Sequence, residues 1–336
     1  MQPTQQDVAD LAGVSRQLVS LVVRGDKHVS PTKRRAVQEA MASLGYRPIA
    51  AARALVERRT RTIGLVTPGF SNPFFGDLAD AIRVAASERN LTPLIGSSAS
   101  VLEVERSVID RFIEMGVDGL ILTGSLLSPE TIAKIGEQVP VCMLNRPPAK
   151  GVVDAVLCDD ARGQQLATEH AVEAGYKHIV FLEDEDADIP QTSAHRRQTG
   201  FLAAMEAMGR ADEAVTITVT GRVSEAVLQA FDIFNSTDVA FICHNDQIAF
   251  EAAVEIMSRG MSLGVDVGVT GYDNTALASF YSLELTSIDQ GLARMARGAV
   301  AMIESRQHGH HEAGRTQMID PTLVTRRSTR RRVWKK

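Results

Sequence analysis

Arg16 and Gln17 open the second of three short helical patterns near the start of the chain. A guanidinium can grip the O6 and N7 edge of guanine with two hydrogen bonds, and a carboxamide can do the same on adenine. Placed together at a helix N-terminus, they suit base reading from the major groove. Thr4, Ser15 and Ser30 stand where hydroxyls and backbone amides can hold phosphates as well as cap helices. A second set of polar residues follows short apolar runs: Asn72, Phe74 and Phe75 after 63–66, Asn145 and Arg146 after 141–144, Asn245 after 239–243. Arg197 opens a helical stretch, Asp273 follows 267–270, and Gln290 follows 285–288. Asp273 can accept two hydroxyl hydrogen bonds, and Arg197 can donate from a planar fork. Asn145 and Asn245 can do both, and the phenyl rings offer flat faces to a sugar ring or a base. Asp246 reads as a helix N-cap rather than a contact, and Phe75 suits the core equally well.

Two kinds of scaffold must hold these residues. The chain has 336 residues, 44% apolar and 23% charged, enough for two or three domains with real cores. Thr4 with Asp7 resembles a capping box, Gly13 and Gly25 end helices, and Ser30-Pro31 starts a third that Gly45 closes. Val8, Ala9, Leu11 and Ala12, then Leu18, Val19, Val22 and Val23, recur at helical spacing. Two short helices joined by a tight Gly-Val turn make a helix-turn-helix. From Arg61 onward short β-rich runs alternate with helical stretches, the pattern of parallel sheets covered on both faces. Two such sets predict an α/β body of two doubly wound parallel-sheet lobes, with a ligand crevice at the carboxyl ends of the strands. A small all-α headpiece precedes it.

Charge is segregated. Residues 1–60 carry ten Lys/Arg against five Asp/Glu, 326–336 carry seven basic residues and no acid, and the residues between carry a net charge of −17. A basic head on an acidic body points to a polyanion at one end. No apolar run reaches the ~18 residues of a membrane span. The first seven residues lack a basic-then-apolar leader, so a cytoplasmic location is expected. Cys142, Cys158 and Cys243 are too far apart for a disulfide framework or zinc site and read as buried thiols.

The run Asp7-Val8-Ala9-Asp10-Leu11-Ala12-Gly13-Val14-Ser15 through Val19-Ser20 resembles the headpiece of the lac/galactose repressor family. So do His28-Val29-Ser30 and Leu44-Gly45-Tyr46-Arg47-Pro48. The resemblance adds Ser20 and His28 to the DNA-contacting set. Residues 48–55 resemble the family's hinge helix, which would place Ala52 and Leu55 against the minor groove, with Leu55 wedging a base step. Eight residues are too few to stay helical alone, and a bare linker is the other reading. Leu21 and Ile49 depart from the Arg and Asn common in the family, so operator preference does not transfer. The body resembles the family's core and the periplasmic sugar-binding proteins. That implies effector contacts at Asn72, Asn145, Arg197, Asn245, Asp273 and Gln290. Pro321–Val324 with Arg326, Ser328 and Thr329 resembles the family's C-terminal signature.

The expected organisation is a headpiece at 1–47, hinge and linker at 48–60, a two-lobed core at 61–325 and a flexible basic tail at 326–336. The expected function is a sequence-specific transcription regulator, a repressor gated by a sugar, polyol or nucleoside. It would act as a homodimer on a near-palindromic duplex operator, with no cofactor, metal or membrane partner. The alternative is a cytoplasmic sugar-binding protein or a sugar-active α/β enzyme. Against an enzyme stand the missing dinucleotide loop, P-loop and nucleophile elbow. His308, His310 and His311 read as a solvated loop. The acidic run 183–188 also reads as solvated; facing the crevice, it would disfavour anionic effectors.

Overall fold

The computed structural model describes residues 3–47, 59–148, 153–189, 192–309 and 313–331. The chain divides into two units, Met1–Arg61 and Thr62–Lys336. In the first unit, local capping sets the helices. Thr4 Oγ1 accepts the Asp7 N–H at 3.3 Å while the Asp7 carboxylate accepts the Thr4 N–H at 2.7 Å, a reciprocal box that starts α1 (Gln5–Ala12). Gly13 ends α1 at φ 63°, a left-handed turn that glycine adopts without strain. Ser15 Oγ caps α2 (Arg16–Val23), and Ser30 with Pro31 starts α3 (Pro31–Leu44). Val8, Ala9, Val19, Val22, Val29, Val37 and Ala40 close the headpiece core. Each fully buried valine stabilises it by about 1.5–3 kcal/mol.

The second unit holds two six-stranded sheets. The first lobe contains β1 (Thr62–Thr67), α4 (Pro73–Ser87), β2 (Thr92–Ser97), α5 (Leu102–Glu114), β3 (Leu120–Thr123), α6 (Pro129–Gly136), β4 (Val141–Leu144) and β5 (Asp154–Cys158). The chain then crosses to the second lobe. There α7 (Asp160–Glu173), β6 (His178–Glu183), α8 (Ser193–Ala207), β7 (Val215–Thr218), α9 (Val223–Phe234), β8 (Val239–Cys243), α10 (Asp246–Ser258), β9 (Gly268–Asp273) and β10 (Thr286–Asp289) follow. It returns for α11 (Leu292–Gln307) and β11 (Thr316–Ile319), and crosses again to β12 (Thr322–Val324). The strand orders are β11-β5-β4-β3-β1-β2 and β12-β10-β9-β8-β6-β7. All pairs are parallel except β10 with β12.

Helices cover both faces of each sheet, as the strand–helix rhythm predicts. In the first lobe α4 and α11 pack on one face, α5 and α6 on the other. In the second, α9 and α10 oppose α7 and α8. The central strands read as unbroken apolar runs because both faces are buried. Helices α7 and α8 lie close: a Cβ on Gly200 would sit 2.2 Å from the Ala161 carbonyl oxygen. This approach brings the first turn of α7 against the N-terminal turns of α8.

The segment expected to be a flexible basic tail is different through Arg331. Ser328 Oγ donates to Val269 O at 2.6 Å and accepts the Thr286 N–H at 2.8 Å. Arg326 donates to Leu285 O and Asn274 Oδ1, and Arg331 pairs with Asp238 at 2.7 Å. Those charges are spent on the second lobe. Residues 332–336 lie outside the described residues.

Candidate functional site

On the headpiece, Arg16 and Gln17 occupy the exposed first turn of α2. Neither side chain hydrogen-bonds to another described residue, so both are available to an external partner. Ser15 and Ser30 are exposed caps, each accepting an amide of its own helix. Thr4 is exposed too, and Ser20 is half-buried. The His28 side chain is 97% exposed with Nδ1 3.0 Å from Asp26. Leu21 is half-buried against the headpiece core. The hinge positions Ala52 and Leu55 lie outside the described residues.

In the core, a continuous polar chain joins the lobes. β10 pairs with β9 so that Asp289 stands beside Asp273, and Gln290 follows directly. Gln290 Nε2 donates to Asp273 Oδ1 at 2.6 Å, and Gln290 Oε1 accepts from Asn145 Nδ2 at 2.7 Å. Asn145 leaves β4 at φ 55°, and its Oδ1 accepts the Cys158 N–H at 3.2 Å. On the other side, Arg197 Nη2 lies 3.8 Å from Asp273 Oδ1. Arg197 Nε donates to Asp160 Oδ1 at 2.9 Å and Nη1 to the His244 carbonyl at 2.6 Å. Its guanidinium lies 3.6 Å over the Tyr272 ring. Arg197, Asp273 and Gln290 are 3%, 4% and 1% exposed, so this is a covered seam rather than an open groove.

The model for bacterial regulatory proteins of the lacI family matches residues 4–48, and the periplasmic binding protein-like domain matches 168–329. The transcriptional regulator DegA of Bacillus subtilis is 30% identical over 335 residues, covering 98% of each chain. The chain belongs to the lacI family. The transcriptional repressor PurR of Vibrio atlanticus is 28% identical, covering 96% of this chain and 97% of its own. A lac repressor dimer bound to operator and the anti-inducer ONPF superposes with a TM-score of 0.80 at 25% identity, covering 98% and 99%. A CelR–cellobiose complex gives 0.69 at 26%, covering 97% and 99%.

This lacI-family chain is a DNA-binding transcription regulator with two parallel-sheet lobes, not an enzyme. No helix among the described residues is long and apolar enough to cross a membrane. Its seam unites Asn145, Arg197, Asp273 and Gln290. The other residues expected at the crevice have local roles. Asn72 caps α4 by accepting the Phe74 N–H at 3.0 Å. Phe74 sits in the first-lobe core, and Phe75 packs edge-on against it at 5.3 Å. Arg146 donates to the Ser125 carbonyl. Asn245 caps α10 by accepting the Ile248 N–H at 2.9 Å. The expected N-cap role of Asp246 therefore falls to its neighbour. Asp246 is wholly buried and accepts from Thr275 N, Thr275 Oγ1 and Ser287 Oγ.

The acidic run is only partly solvated. Glu183 turns inward and accepts from Gln198 and Thr218, both at 2.8 Å. Asp184 Oδ2 lies 3.7 Å from His244 Nε2. His244 is 6% exposed; burial first, and the Arg197 charge second, push its imidazole well below the ordinary value. Sequence reasoning assigned no role to Asp160, Arg196 or His244. The doubled Arg196-Arg197 opposite a doubled Asp159-Asp160 was the available signal.

Burial raises the Asp273 carboxyl above the ordinary carboxylate range; Arg197 opposes the rise and Asp246 reinforces it. The native core thus holds a proton that the unfolded chain has already lost. The associated stability is present at low pH and declines as pH climbs through the raised value. Asp273→Asn is expected to shift the slope of melting temperature against pH between about pH 5 and pH 8 in the positive direction, by removing the Asp273 contribution. Equal slopes in the two proteins would contradict this assignment.

Proposed function

We propose that the chain is a cytoplasmic repressor whose grip on a near-palindromic operator is set by a small polyhydroxylated effector at the lobe seam. A sugar, polyol or nucleoside fits the paired carboxamides of Asn145 and Gln290 and the Asp273 carboxyl group, which offer donors and acceptors side by side. The observation that carries this reading is the Asn145–Gln290–Asp273–Arg197 chain, because any ligand that engages it engages both lobes. Such a ligand favours one lobe arrangement in proportion to its differential affinity for it. Asp184, 3.7 Å from His244 Nε2, brings the acidic run beside the seam, and its charge favours neutral effectors over phosphorylated ones. The structural neighbours support the class: one is a cellobiose complex, another a dimer bound to operator. The lac repressor neighbour is a dimer, and the partner proposed for this chain is a second copy of itself. A homodimer reads two symmetric half-sites.

The test is thermal stability of the full chain against sugars, polyols, nucleosides, sugar acids and sugar phosphates. A specific ligand at 100 times its dissociation constant adds about 2.7 kcal/mol. The expected hit is neutral, and Asp273→Ala abolishes it. A hit that survives Asp273→Ala moves the site elsewhere. A preference for the phosphorylated sugar over its neutral parent contradicts the charge argument.

A further inference from the structure

Arg196 ties its own helix to two other segments. It stands on α8 of the second lobe. Its Nη2 donates to the Asn145 carbonyl oxygen, in the first lobe, at 2.9 Å. Nη2 and Nε also donate to Asp160 Oδ2, where the chain first crosses between lobes, at 2.6 and 3.1 Å. Arg197, one residue on, directs its hydrogen bonds to Asp160 and to the second-lobe carbonyl of His244. The two neighbours therefore divide the work: Arg197 faces Asp273, and Arg196 reaches across. A second tie uses other elements. Asp77 Oδ2 on α4 accepts the Ala276 N–H at 2.9 Å, and Ala276 lies three residues beyond Asp273.

We propose that Arg196 is a positioning residue of the effector switch, a clasp that sets the closure of the two lobes through the Asn145 carbonyl. The proposal rests on reading the seam as the effector site. A guanidinium is a rigid fork, and Asp160 fixes its direction, so little freedom is lost when it meets the carbonyl. Arg196 holds the backbone of Asn145 while Gln290 holds its side chain, so a ligand that engages Asn145 works on the clasped residue itself. Closure and ligand engagement are then one equilibrium, with Arg196 weighting its closed side.

Cys158 provides a native reporter of opening. It ends β5 at the first crossover, is 1% exposed, and has Sγ 3.6 Å from the Tyr272 hydroxyl. Burial pushes its thiol up to about 12. Cys142 and Cys243 belong to the apolar cores of the first and second lobes. Opening the lobes exposes Cys158 and leaves the other two covered.

The experiment follows reaction of the full chain with an aromatic disulfide reagent, without DNA or added ligand. Arg196→Met is expected to speed Cys158 modification about tenfold over the parent, with Cys142 and Cys243 unchanged. Adding Cys158→Ala removes the fast phase. Arg196→Lys keeps a charge beside Asp160 but loses the fork; an intermediate rate is expected, and this variant carries the test if the methionine protein does not fold. Asp77→Ala, which removes the other tie, accelerates the same thiol. An unchanged Cys158 rate in a folded variant overturns the proposal. Equal acceleration of all three thiols overturns it too, because that is general loosening. The assay uses no effector, so its failure leaves the effector reading standing, and a failed ligand panel leaves the clasp measurable.

Discussion

Asp160→Ala is expected to destabilise the core by about 3–5 kcal/mol, the usual penalty for removing one partner of a buried ion pair. The carboxylate is 0% exposed, and its two oxygens are divided between two guanidinium groups. The Arg197 side chain is 4% exposed and the Arg196 side chain 22%. Without Asp160, Arg197 keeps the longer 3.8 Å approach to Asp273, its bond to the His244 carbonyl and its stack on the Tyr272 ring, but loses its close carboxylate partner. A buried cation with so little compensation dominates the loss, more than the missing contact itself. Asp160→Asn retains one acceptor and is expected to lose less. Urea unfolding of the full chain, monitored by the core transition, measures both. A loss under about 1 kcal/mol for the alanine variant would show that the arginines re-pair or reach solvent, contradicting the assignment of Asp160 as their buried anchor.

The second large effect lies on the headpiece. Arg16→Ala and Gln17→Ala are expected to weaken operator binding by about 1–3 kcal/mol per half-site and to relax base preference at one position each. Both side chains are exposed and make no hydrogen bond with other described residues, so the folded headpiece loses nothing. Ser15→Ala differs in kind. It removes the cap on the Leu18 N–H and is expected to lower headpiece stability by about 1 kcal/mol. Competition against duplexes altered at single base pairs separates the cases. Uniform weakening across all sequences in Arg16→Ala would make that residue a phosphate contact rather than a base reader.

The headpiece was legible in the sequence because its determinants are local. Thr4 with Asp7, Gly13, Ser15, Ser30-Pro31 and Gly45 act within one turn of themselves. The central strands were legible because burial on both faces leaves only apolar residues. The return of α11 and β11 to the first lobe was not, because nothing local to 292–319 says which sheet it joins. Met295, Ala296 and Ala299 only show their destination when seen against α4. The seam was half legible. Asn145, Arg197, Asp273 and Gln290 follow from strand ends and family likeness. Asp160 and Arg196, 36 residues apart, depend on the close packing of α7 against α8. Asn72 and Asn245 stand beyond strand ends, where position and family likeness place effector contacts, and each also caps the helix that follows, a role set by the next turn. The basic stretch from Arg326 looked like a tail because its partners, Asn274, Leu285 and Asp238, are remote in sequence.

Operator recognition under effector control is most directly tested by selecting duplexes from a random pool with the full chain. The selection is run with and without the ligand found by thermal stability, at two salt concentrations. The account predicts one enriched near-palindrome, its affinity falling steeply as salt rises and its yield changing when ligand is added. Asp273→Ala keeps the palindrome and loses the ligand effect. No enriched sequence, or an enriched sequence whose recovery the ligand does not alter, would contradict it.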